Sequence, residues 1–204
     1  MNNFFKKTLI ISPHPDDSEY SCYGIIKKFN LEATILLCSG GGLGDKTNAE
    51  NRIDEVYKFW ENQKNINIIY KNILNENYHT AVSFLDKLIN DNNYNSVLVT
   101  SELDTNQDHR RLSQIVKSSL RNKNLALVEY WTPSTNHNWE PNVWIDISEF
   151  LDEKVEKLIN VFKSQSKKSY FEKEYVEIFH KDWQAMKRNI TSCEKFKLLY
   201  LFYS

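Results

Sequence analysis

Short apolar runs alternate with amphipathic stretches along this chain. Thr8–Ile11, Ala33–Cys38, Ile66–Tyr70, Ser96–Thr100 and Leu125–Tyr130 are brief aliphatic runs, the pattern of strands buried on both faces. Between them apolar residues recur at helical spacing. Asp17–Phe29 carries Tyr20, Gly24, Ile25 and Phe29 on one face. Asn48–Asn62 carries Ile53, Val56, Tyr57 and Trp60. Tyr78–Asp91 carries Val82, Leu85, Leu88 and Ile89, and Asp108–Arg121 carries Leu112, Ile115, Val116 and Leu120. This rhythm predicts an α/β fold with a mostly parallel central sheet and helices on both faces.

The second half continues with a polar loop from Pro133 to Pro141 and a strand over Asn142–Asp146. A helix is predicted over Ser148–Ser164, capped by Ser148, and a charged helix over Glu172–Arg188. A last strand is placed at Phe196–Tyr203. No linker, repeat or low-complexity segment interrupts the pattern, so residues 1–204 read as a single domain.

Composition narrows the function classes. The formal net charge of -1 offers no basic surface for nucleic acid or an anionic membrane. No apolar stretch has the length of a membrane span, and the run after Lys7 is too short for a signal-peptide core. Cys22, Cys38 and Cys193 are odd in number and far apart, which argues for buried free thiols in a reducing cytoplasm.

The chemistry gathers at two strand ends. Pro13-His14-Pro15-Asp16-Asp17 follows the first strand. Pro15 holds His14 extended and opens the helix, so His14 and Asp17 can aim at one point while Asp16 faces a neighbouring one. Such nitrogen and oxygen donors suit zinc or another divalent cation, although an Asp pair before a helix also serves as a plain cap. The fourth strand ends at the same sheet edge, which brings His109 toward His14 and Asp17. Two imidazoles and one carboxylate leave a position open on zinc, the catalytic arrangement. Asp108 is placed to orient a ligating imidazole or a catalytic group.

Around this centre, Arg52 is a candidate contact for a polar or anionic part of a substrate, or else a surface partner of Glu55 or Glu50. Trp131, Trp139 and Trp144 are candidates for stacking on a sugar ring, Trp139 in the polar loop first among them; each also fits core packing. His137 lies in the same loop. Gly40–Thr47 fails the phosphate-loop pattern, because Asp45 separates Gly44 from Lys46, and reads as a rim of the site.

The ordered motifs resemble one family. Ser12-Pro13-His14-Pro15-Asp16-Asp17-Ser18-Glu19 is similar to the His-Pro-Asp-Asp-x-Glu signature of the LmbE/PIG-L family of zinc-dependent N-deacetylases. Asp104-Thr105-Asn106-Gln107-Asp108-His109-Arg110 resembles its Asp-Thr-His-x-Asp-His-Arg motif, and Arg52-Ile53-Asp54-Glu55 its Arg-x-x-Glu helix. Asp146-Ile147-Ser148, Lys154, Ser164-Gln165 and Cys193-Glu194-Lys195-Phe196 follow in the family's order. The resemblance implies a Rossmann-like three-layer fold and zinc held by His14, Asp17 and His109. It also implies Asp16 as general base for removal of an N-acyl group from a small amino-sugar substrate. Glu19 is expected to support the ligands. Asn106 stands where the family commonly has a histidine acting on the oxyanion or the leaving group. An amide donates a hydrogen bond but carries no positive charge and shuttles no proton. Hence His137 takes over part of that role, activity is lowered, or the chain is a silent sugar- or metal-binding member of the fold.

Overall fold

Alternate residues of each central strand belong to two different apolar cores. The structure, a computed structural model, describes residues 5–41 and 46–201. In β1 (Lys7–Ser12), Ile10 packs into one core while Leu9 and Ile11 enter the other. The same split divides Ile35 and Leu37 from Leu36 in β2 (Glu32–Leu37), Leu98 from Val97 and Val99 in β4 (Ser96–Thr100), and Val128 from Leu127 in β5 (Ala126–Tyr130). Strands of this kind need a helical layer on each side. One layer is α1 (Asp17–Phe29), α2 (Lys46–Trp60) and α5 (Leu151–Val161); the other is α3 (Tyr78–Asn92) and α4 (Gln107–Ser119).

The sheet has seven strands in the order β3-β2-β1-β4-β5-β7-β6, with β3 at Ile66–Tyr70, β6 at Val143–Asp146 and β7 at Cys193–Tyr200. The first five are parallel, and β7 runs antiparallel between β5 and β6. The order reverses direction at β1 and β4. Their carboxyl ends flank the crevice where open α/β sheets bind ligands.

Three expected elements differ from the structure by three residues or more at an end. The helix predicted over Ser148–Ser164 begins at Leu151. Ser148 does not cap it, because its hydroxyl bonds Asp146 and Thr191 and accepts from the Ser192 amide, stitching β6 to β7. The charged helix over Glu172–Arg188 divides into α6 (Lys173–Phe179) and α7 (Trp183–Met186), with the fully buried His180 at the break. The last strand starts at Cys193 rather than Phe196, and the far end of the prediction, 202–203, lies outside the described residues. So does the middle of the Gly40–Thr47 segment, 42–45. All three cysteines are free and buried. Among the described residues no helix is long and apolar enough to cross a membrane.

Candidate metal centre

The turn from β1 into α1 holds a strained residue. Asp16 has φ 109° and ψ -31°, a conformation that costs a non-glycine residue about 1–3 kcal/mol and persists only where its surroundings impose it. Glu19 imposes it from the buried side: its Oε2 accepts from the Asp16 amide at 3.1 Å. Its Oε1 accepts from Ser18 Oγ (2.9 Å) and Trp60 Nε1 (2.6 Å). Arg52 imposes it from the cavity side, where Nη2 donates to Pro15 O (2.8 Å) and Asp16 Oδ2 (3.2 Å). Burial raises the Glu19 carboxyl to about 7. Burial and the neighbouring Asp17 charge raise Asp16 to about 6 against the pull of Arg52.

Three donor atoms from two strand ends meet beside this turn. His14 Nδ1 and Asp17 Oδ2 are 3.3 Å apart, His109 Nε2 and Asp17 Oδ2 are 3.2 Å apart, and the two imidazole nitrogens are 3.3 Å apart. A tetrahedron with arms of 2.0–2.1 Å has edges of about 3.3–3.4 Å, so these atoms form one face of a zinc-sized coordination shell. The far nitrogen of each ring meets a carboxylate: His109 Nδ1 lies 3.0 Å from Asp104 Oδ2, and His14 Nε2 lies 3.0 Å from Asp108 Oδ2. With a proton on each far nitrogen, the lone pairs of His14 Nδ1 and His109 Nε2 face Asp17, as ligation requires.

The electrostatics agree with a cation site. Burial pulls both imidazoles down, yet the carboxylates outweigh it. Asp108 and Asp17 raise His14 to about 9, and Asp17 and Asp104 raise His109 to about 10. Burial opposes charge on Asp17, but the two histidines hold it below the usual carboxylate range. Protons on the imidazoles thus stand in for the positive charge that Asp17, Asp104 and Asp108 demand.

A cavity of about 940 Å³ opens over this centre. His14, Asp16, Asp17, Arg52, Asn106, Asp108 and His109 all line it, as does the edge of the Gly40–Thr47 segment. Arg52 is buried and pairs with Asp16; Glu55, one of its two expected surface partners, accepts from Ser164 instead. Gly41, at φ +67°, makes room for Arg52, because a Cβ there would stand 1.9 Å from Nη1. Asn106 is the N-cap of α4, its Oδ1 accepting from the Asp108 amide at 2.9 Å. Glu19 lies beneath the turn, away from the donor face.

Two expectations are corrected. Trp139 is buried, stacks near Trp131 and donates Nε1 to Glu129 Oε2 at 2.7 Å, so its ring belongs to the core and does not line the cavity. His137, expected to stand in for a histidine at position 106, is exposed and lies off the cavity wall. Asp104, which the sequence marks only as the first residue of the 104–110 motif, is the carboxylate behind His109. Its place five residues before His109, at the foot of a helix, was the available signal. Lys168, Tyr170 and Tyr175 also line the cavity, and no local pattern marks them.

Comparison with known proteins follows this geometry. The family model PIG-L, described as GlcNAc-PI de-N-acetylase, matches residues 9–120. Among curated proteins there is no match. Among solved structures, the chain is similar to N,N'-diacetylchitobiose deacetylase from Pyrococcus horikoshii (TM-score 0.75, 20% identity, 95% of this chain and 84% of that one). It is also similar to the conserved protein TT1542 from Thermus thermophilus (0.75, 21%, 97% and 98%). A third is the zinc-inhibited form of teicoplanin deacetylase Orf2 (0.73, 11%, 94% and 97%). At these identities the likeness is one of fold.

Proposed function

The chain belongs to the PIG-L family, and from that premise we propose that it is a metal-dependent hydrolase that removes an N-acyl group, acetyl first of all, from an amino-sugar substrate. The observation that carries this reading is the donor face of His14, Asp17 and His109, with edges of 3.2–3.3 Å, set in a large cavity at the sheet's switch point. His14, Asp17 and His109 would hold a zinc ion or another divalent cation, which would supply Lewis acidity toward water and an acyl oxygen.

The chain's own groups carry the proton. Asp16, raised to about 6, takes one from the attacking water and passes one to the departing nitrogen. The water oxygen bonds to the acyl carbon, the C–N bond breaks, and a carboxylate and an amine leave. Arg52 fixes the Asp16 carboxylate. Asp104 and Asp108 hold the imidazoles. The Asn106 side-chain nitrogen Nδ2 has no partner among the described residues and can donate. The net charge of -1 and the three free thiols fit a cytoplasmic enzyme of small molecules.

Zinc titration and amine release from N-acetylglucosamine and N,N'-diacetylchitobiose test this reading. His14→Ala and Asp17→Ala are expected to lose the metal, and Asp16→Asn to keep it while losing amine release. Failure of the wild type to bind any divalent ion sinks the proposal. A second reading, a silent sugar-binding member, draws on the use of the Asn106 oxygen as a helix cap. Wild-type turnover excludes it.

A further inference from the structure

The cavity contains a hydrogen-bond donor that the reaction scheme above leaves unused. Resting on that scheme, we propose that Tyr170, backed by Lys168, is a catalytic residue that donates a hydrogen bond to the acyl oxygen and so fills the place of the histidine missing at Asn106. The need is physical. Charge grows on the acyl oxygen as water adds, and one lost donor at such a position costs on the order of 10²–10³ in rate. Asn106 can supply a neutral donor, but its carboxamide is pinned by the cap it makes on α4.

Three other donors on the cavity wall are spent. The Tyr20 hydroxyl donates to Tyr170 O at 2.8 Å. Ser134 Oγ is occupied by Thr132 and His109. Arg52 Nη2 is held by Pro15 O and Asp16. Tyr170 is different. It sits in the single turn Ser169–Phe171, lines the cavity, and its hydroxyl has no partner among the described residues. The Tyr20 bond ties its main chain to the first turn of α1, three residues after Asp17. Burial, then the charges of Asp16 and Asp17, hold its phenol well above the usual range, so it remains a neutral donor rather than an acid. The Lys168 ammonium stands 5.3 Å from the centre of its ring and has no carboxylate within 4 Å among the described residues. It feels Asp16 and Asp17 from the same wall and adds the positive charge that an amide at position 106 lacks.

The step needs no further reactant. Tyr170 lends a hydrogen bond and keeps its proton, while Asp16 moves the one that the nitrogen gains. Tyr170→Phe is a sound probe, since it retains the ring and the main-chain oxygen that Tyr20 bonds.

The experiment measures zinc content, melting temperature, kcat and KM for N-acetylglucosamine and N,N'-diacetylchitobiose. Tyr170→Phe is expected to lower kcat about 10²-fold, with KM, metal content and melting temperature near wild type. Lys168→Met is expected to lower kcat about tenfold. Asn106→His is expected to raise kcat more in the Tyr170→Phe background than in the wild type, because the histidine then supplies the missing donor. An unchanged kcat in Tyr170→Phe overturns the assignment, as does a rise in KM alone or an equal gain from Asn106→His in both backgrounds. Absence of turnover by the wild-type zinc protein overturns the deacetylase reading, and this assignment with it.

Discussion

Asp104→Asn isolates the carboxylate that stands behind His109. The Asp104 side chain is enclosed. Its Oδ2 accepts from His109 Nδ1 (3.0 Å), Thr132 Oγ1 (2.8 Å) and Thr135 Oγ1 (3.2 Å), and its Oδ1 from the Asn106 amide (2.8 Å). A carboxamide keeps one acceptor. If it serves the Asn106 amide, its NH2 faces His109 Nδ1 and drives the imidazole into the tautomer whose lone pair points away from Asp17. If it serves His109, two N–H groups confront each other at the foot of α4. Losing an orienting carboxylate behind a metal-ligating histidine typically costs 10–100-fold in affinity, about 1.4–2.7 kcal/mol. The metal-free protein loses a charge-assisted hydrogen bond worth about 1.5–3 kcal/mol. At ~2–4 °C per kcal/mol for a chain of this size, the melting temperature should fall by about 3–12 °C. Chelator-competition titration of Zn²⁺ and calorimetry of the metal-free protein read both quantities. Zinc affinity within about twofold of wild type, with an unchanged melting temperature, refutes the account of how His109 is held.

Other outcomes follow from single contacts. Gly24→Ala places a Cβ 2.2 Å from Ile147 Cγ2, and overpacking of at least about 1–3 kcal/mol should appear as a lower denaturant midpoint. Gly41→Ala should push the Arg52 guanidinium off Asp16, lowering kcat while zinc affinity is kept. Lys154→Met strands Glu194, whose Oε1 lies 2.7 Å from Lys154 Nζ in a fully buried pair; a loss of about 3–5 kcal/mol is expected, partly recovered by adding Glu194→Gln. His180 is buried beside Lys154, and burial, then that ammonium, hold its imidazole well below 6.5. The unfolded chain therefore takes a proton below about pH 6.5 that the folded chain refuses, so stability falls as pH falls. The loss is about 1.3 kcal/mol from pH 7 to pH 5.5, and urea midpoints of His180→Gln should show a flatter pH slope.

Reading of the fold went furthest where one segment contained the whole signal. The runs at Thr8–Ile11 and Ser96–Thr100 announce buried strands because both faces of a covered parallel sheet are apolar. His14 and Asp17 share one turn, so their convergence follows from local geometry. The single charged helix over Glu172–Arg188 failed because its break depends on His180, whose partners Val176, Lys154 and Tyr20 come from three elements.

The ordered residues of this chain were enough to specify alternating layers, the two strand ends that carry the chemistry, and the donor types gathered there, since these depend on periodicity and on parallel strands ending at one edge. Whether Trp139 met solvent or Glu129, and which carboxylate backed which imidazole, were settled by packing between distant segments. Burial and hydrogen-bond partners of that kind are properties of the assembled interior, and a linear pattern does not encode them one residue at a time.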